Sequence, residues 1–156
     1  MSQKPQKPQK PQKSIVVLLS GNGSNLQAII DEISRQKINA KIVAVIANQK
    51  TAYGLTSAEN AGIPSIFIDH KSFASREDYD ARMASCINEF NPNLIVLAGF
   101  MRILTPEFVE NYQGRMLNIH PSLLPKYKGL HTHQRAIDAG DEEHGASVHF
   151  VTPELD

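Results

Sequence analysis

An α/β fold built on a mostly parallel, twisted sheet flanked by helices is predicted by three features of the chain. Short, unbroken apolar runs recur along it. The first run ends in Ser20-Gly21-Asn22-Gly23-Ser24, and the stretches between runs carry apolar residues at helical spacing. Strands of a parallel sheet are buried on both faces and so read as continuous apolar runs, joined by right-handed helical crossovers. The 156 residues fit one domain. A chain of that size buries about two-thirds of the surface its unfolded form exposes.

The elements follow in order. Lys4-Pro5-Gln6 repeats through Lys13, and proline at every third position favours an extended, solvated conformation for residues 1–13. They are expected to form a disordered tail ahead of a domain over 14–156. Ile15-Val16-Val17-Leu18-Leu19 predicts the first buried strand, and Leu26, Ile29, Ile30 and Ile33 predict a helix after it. A second strand is expected over 41–47, a helix around 54–61, and a stop at Gly62-Ile63-Pro64 opening a third strand over 65–68. Tyr79, Met83, Cys86, Ile87 and Phe90 mark one face of a longer helix, closed by Asn91-Pro92. A fourth strand spans 94–98. Thr105-Pro106-Glu107 signals a short helix with Thr as its cap and Pro in its first turn. Fifth and sixth strands are read over 115–119 and 145–152.

Composition narrows the function. At 41% hydrophobic residues, the chain as a whole is not a disordered one. Its single cysteine, Cys86, excludes an internal disulfide framework and a cysteine-rich zinc cage, and reads as a buried, inert thiol in a reducing compartment. No apolar run approaches the ~20 residues of a membrane helix, and the lysines of the tail lead into no apolar signal region. Lys4, Lys7, Lys10 and Lys13 hold a quarter of the sixteen basic residues; against sixteen acidic ones the remaining twelve leave the domain at about −4. A mildly acidic domain is a poor partner for nucleic acid. A cytoplasmic protein acting on small molecules is expected.

Ligands of open α/β sheets bind beyond the carboxyl ends of the strands, and three segments there carry unusual residues. Ser20-Gly21-Asn22-Gly23-Ser24-Asn25 opens a helix; its glycines and the helix N-terminus suit a phosphate, or the segment is a plain tight turn. It lacks the third glycine of a dinucleotide fingerprint and the lysine of a P-loop. Gly99-Phe100-Met101-Arg102-Ile103-Leu104 either lines a pocket for a flat heterocycle or packs on the core. Asn118-Ile119-His120, two positions apart at the end of the fifth strand, put an amide donor beside an imidazole, which suits acyl transfer through an oxyanion; a structural histidine is the alternative. His131 and His133 have no further ligand near them in the pattern, so no metal is expected, and His70, His144 and His149 receive no role. Asp141-Glu142-Glu143 reads as a solvated turn.

SGNGSN after the first strand, AGFMRIL after the fourth, NIHPSLLPKYKGLHTH after the fifth and HGASVHFVTPELD at the end together resemble the glycinamide ribonucleotide formyltransferases of purine biosynthesis, over 15–156. The resemblance implies a Rossmann-like formyltransferase fold and direct transfer from 10-formyltetrahydrofolate, without a metal. It implies that Gly23, Ser24 and Asn25 hold the ribonucleotide phosphate. Arg76, Met101, Arg102, Ile103, Leu104 and Asn118 would serve the folate. Asn118, His120 and Asp156 match the catalytic trio. In that chemistry Asn118 donates to the formyl oxygen as it turns anionic, a protonated His120 adds charge and a proton, and Asp156 keeps the imidazole protonated. Relatives continue past this aspartate, so the chain is expected to be a truncated form with the C-terminal part of the domain absent. Lys128 stands where relatives often carry proline. A monomer or homodimer is expected. Formyltetrahydrofolate hydrolase, methionyl-tRNA formyltransferase and a non-catalytic phosphate- or folate-binding module share parts of this pattern. The tRNA enzyme needs a second, basic domain and the hydrolase an N-terminal regulatory one, and the short tail is neither.

Overall fold

The computed structural model describes residues 12–120 and 147–151, with the backbone alone at 120 and at 147–150. The expectations placed on residues 1–11, Lys128, His131, His133, Asp141 to His144 and Asp156 lie outside these residues. The chain runs β1 (Lys13–Leu19), α1 (Ser24–Ser34), β2 (Ala40–Ala47), α2 (Tyr53–Asn60), β3 (Ser65–Phe67), α3 (Arg76–Phe90), β4 (Leu94–Leu97), α4 (Pro106–Asn111), β5 (Met116–His120) and β6 (Ser147–Phe150). The described strands form one sheet in the order β3-β2-β1-β4-β5-β6. Its first five strands are parallel, and β6 closes the edge antiparallel to β5.

Alternation along β1 explains why the run has no polar gap. Val16 and Leu18 enter a core shared with Tyr79, Met83, Cys86 and Ile87 of α3 and with Phe108 of α4. Ile15, Val17 and Leu19 enter the opposite core, with Leu26 of α1 and Ala58 of α2. Both faces are therefore covered, and each fully buried Leu or Ile contributes about 1.5–3 kcal/mol relative to exposure. The helical spacing of Leu26, Ile29, Ile30 and Ile33 serves the second core; that of Tyr79, Met83, Cys86, Ile87 and Phe90 serves the first. Cys86 is buried, and that burial raises its thiol pKa above the usual value, as expected of an inert thiol.

Helix ends follow local chemistry. Ser75 accepts a hydrogen bond from the Asp78 N–H at 3.1 Å, with Glu77 and Asp78 in the first turn of α3. Asn91, in the left-handed conformation, ends that helix before Pro92. Thr105 caps α4 by accepting from the Phe108 N–H at 3.2 Å, as its sequence signal requires. After α2, Gly62 at φ +72 lets the Ile63 N–H return to the Ala58 carbonyl at 2.9 Å.

Two local features depart from the sequence pattern. Strand β1 begins at Lys13, paired with Ala40, and the Gln12 amide donates to the Ala40 carbonyl at 2.9 Å. Sheet pairing thus reaches into the segment assigned to the tail. A single 3-10 turn, His70–Ser72, is held by Asp69 accepting from the Lys71 N–H at 2.9 Å. So short a turn has no periodicity to read.

Candidate active site

The strand order reverses between β1 and β4, which leave the sheet side by side and turn into different helices. A crevice at such a reversal is where this architecture binds ligands. Ser20 joins the two departing loops. Its N–H donates to the Gly99 carbonyl at 3.1 Å, and its hydroxyl oxygen accepts from the Met101 N–H at 2.8 Å. The loop after β4 is held at its other end by Asp80, a buried residue of α3 whose Oδ2 accepts from the Thr105 N–H at 2.8 Å.

The loop after β1 is shaped by a close approach of two glycines. Gly23 adopts φ +76, and a Cβ there would lie 2.6 Å from the Gly54 Cα. The Asn22 side chain accepts from the Ser24 N–H at 3.1 Å, and the Gly23 carbonyl accepts the Gln27 N–H at 2.8 Å, starting α1. No side chain caps α1 at Gly23. An open cleft of about 410 Å³ lies against this start, lined by Asn22, Gly23, Ser24, Gln27, Tyr53, Ser57 and Asn60. The structure thus brings Gly23 and Ser24 to one cleft; Asn25 follows them in the first turn, half-buried and outside the lining. Every lining residue is neutral, so an anion there meets dipoles and hydroxyls rather than a cation.

A second cleft, about 310 Å³, gathers residues distant in sequence: Asn48 and Gln49 after β2, His70, Arg76 at the start of α3, and Met101, Arg102 and Ile103 after β4. The two readings of the Gly99–Leu104 segment divide residue by residue. Met101 and Ile103 expose 68% and 54% of their surface, whereas Phe100 and Leu104 pack against the core beside α3 and α4. Leu104 is therefore outside this cleft's lining, unlike its neighbours. The Arg102 guanidinium stacks 4.4 Å above the Tyr79 ring. Tyr79 is buried, donates its hydroxyl to the Ile68 carbonyl at 3.2 Å, and is pushed up to a pKa of about 12, chiefly by desolvation.

Sequence reasoning does not single out Asn48, Gln49 and His70 of the second cleft, nor Gln27, Tyr53, Ser57 and Asn60 of the first. His70 had no role assigned, yet it lines the second cleft with Nδ1 3.2 Å from the Asn48 main-chain oxygen. Asn48 carried no signal, being one polar residue after an apolar strand. Among the described residues, Asn48 Oδ1, Asp80 Oδ1 and Arg102 Nε are buried side-chain atoms with no hydrogen-bond partner. Each such orphan costs about 1–3 kcal/mol in a folded protein.

Asn118 sits half-buried on β5, paired with Leu97 of β4 and His149 of β6, and His120 follows two positions on, paired with Ser147. Strand alternation gives both positions one face of the sheet. The Asp156 of the expected trio lies outside the described residues. Among the described residues there is no group of three metal-ligating side chains, and no helix is long and apolar enough to cross a membrane.

A family model described as formyl transferase matches residues 13–156. The chain belongs to the formyl transferase family. It is 58% identical over 143 residues to phosphoribosylglycinamide formyltransferase of Escherichia coli K12, covering 92% of this chain and 68% of that relative. It is 45% identical over 142 residues to the trifunctional purine biosynthetic protein adenosine-3 of Homo sapiens, covering 91% of this chain and 14% of that longer relative. The structure of phosphoribosylglycinamide formyltransferase from Coxiella burnetii superposes with a TM-score of 0.88 at 55% identity, covering 94% of this chain and 68% of that one. The α/β sheet described above is thus the formyl transferase fold, and the chain is that of an enzyme of this family.

Proposed function

We propose that this formyl transferase moves the formyl group of 10-formyltetrahydrofolate onto the amine of glycinamide ribonucleotide. The observation that carries this is the second cleft. Arg76 and Met101 to Ile103, separated by a full helix and strand, meet at one mouth, where two exposed apolar side chains and two arginines suit a flat heterocycle with an anionic tail. The identity to phosphoribosylglycinamide formyltransferases supports the choice of acceptor. The neutral cleft at the start of α1 suits its phosphate through Gly23 and Ser24, with Asn25 beside them in the first turn of the helix.

In the proposed reaction the substrate amine attacks the formyl carbon and the formyl oxygen takes up the negative charge. Asn118 donates its amide N–H to that oxygen. His120, protonated, stabilises the same charge and hands a proton to the folate N10 as the carbon–nitrogen bond breaks. Asp156 keeps the imidazole protonated and takes up, through water, the proton the amine sheds. The products are formylglycinamide ribonucleotide and tetrahydrofolate, and no electron changes hands. No metal enters these steps.

A transfer assay tests the proposal. The purified chain, given 10-formyltetrahydrofolate, should release tetrahydrofolate only when glycinamide ribonucleotide is present. Release that is independent of the amine would point to transfer to water instead. Binding of both substrates with no release would reduce the chain to a binding module.

A further inference from the structure

Asn48 stands immediately after β2, whose preceding residues Val45, Ile46 and Ala47 are fully buried. Only 5% of its surface is exposed, yet it lines the second cleft. Its main-chain oxygen faces His70 Nδ1 at 3.2 Å, while its side-chain carbonyl has no partner among the described residues. For folding alone that side-chain carbonyl is a cost, because a buried acceptor with no partner carries its full desolvation penalty. A buried polar group that the fold does not use, at the strand ends where this architecture binds ligands, marks a contact made only when the cleft is filled. Arg102, on the other side of the sequence, lines the same cleft and also has a buried donor, Nε–H, left open. Among the described residues the cleft thus offers one buried unpaired acceptor and one buried unpaired donor.

We propose that Asn48 is a further folate-binding residue, its side-chain carbonyl accepting an N–H of the co-substrate while Arg102 Nε–H donates to the carbonyl beside it. The inference rests on the assignment of folate to this cleft. Folate carries that adjacent N–H and C=O pair twice, in the lactam edge of the pteridine and in the amide joining benzoyl to glutamate.

The test is a calorimetric titration of the full chain and of Asn48→Leu and Asn48→Ala with 10-formylfolate, each variant first melted. Both variants should bind about ten-fold more weakly while melting at or above the temperature of the parent. Repeating the titration with 10-formylpteroate, which lacks the glutamate amide, locates the contact. A loss retained there places Asn48 on the pteridine edge, and a loss abolished there places it on the benzoyl amide; either supports the proposal. Unchanged affinity in both variants overturns it. A lowered melting temperature in both also overturns it, since the amide would then be serving the fold. A parent chain that does not bind 10-formylfolate defeats the folate assignment itself.

Discussion

Asn118 owes its proposed role to one donor on a half-buried strand position. Replacing it by alanine removes the N–H aimed at the developing oxyanion, which typically costs about 3–4 kcal/mol of barrier. Turnover should fall by about 10²- to 10³-fold, with a melting temperature close to the parent's; normal turnover in a steady-state assay would remove Asn118 from the mechanism. Glycine positions make the opposite kind of prediction, in stability rather than rate. Gly62 sits at φ +72 in open space, so Gly62→Ala should cost about 1–2 kcal/mol for the left-handed backbone alone. Gly23→Ala carries the same backbone strain plus a methyl 2.6 Å from the Gly54 Cα, and should cost clearly more in urea denaturation. Equal losses would show that the loop after β1 and the start of α2 part freely.

At the scale of elements, the loop after β4 is fastened at both ends, by the Ser20 hydroxyl and by Asp80. Asp80→Ala strips the buried Thr105 N–H of its acceptor and should destabilise by about 1–3 kcal/mol, whereas Asp80→Asn keeps an acceptor oxygen and should recover part of this. Chemical denaturation of the two variants reads the difference, and indistinguishable variants would deny the fastening. The elements themselves were largely legible. A strand buried on both faces leaves an apolar run that nothing else in a small domain requires, so β1, β2 and β4 announce themselves, and the Thr105 cap and the Asn91-Pro92 stop act within a few residues of where they stand. The first residue of β1 was not legible, because Lys13 continues the composition of the tail although it pairs with Ala40. Nor were Asn48 and His70, which reach one cleft only because the sheet brings the end of β2 near the loop after β4. By contrast Met101 to Ile103 stand out as an apolar loop around one arginine after β4, Arg76 enters only through the family resemblance, and their meeting in one cleft is a tertiary fact that no spacing encodes.

For the whole molecule, the buried phenols predict how the fold answers alkali. Burial raises the Tyr79 pKa from 10.0 to about 12, and burial also raises that of Tyr112. The unfolded chain loses the Tyr79 proton near pH 10 while the folded one still holds it, so the unfolded state binds fewer protons and stability falls with rising pH. The contribution is intact below pH 10 and is lost across pH 10 to about 12. Tyr79→Phe should flatten the melting temperature against pH in that window, and an unchanged slope would assign the alkaline loss elsewhere.

The abutment of Gly23 on Gly54 sets how a mutational library of this chain would look. Gly21, Gly23 and Gly54 read alike as small residues beside a ligand loop, yet a Cβ at Gly21 meets nothing within 4 Å, whereas at Gly54 it would press on the fully buried Leu19 at 2.5 Å. Survivors of selection for soluble protein should therefore carry many residues at position 21 and almost none but glycine at 23 and 54. The start of α2 would thus forbid the loop after β1 a side chain, while β1 forbids one to the start of α2.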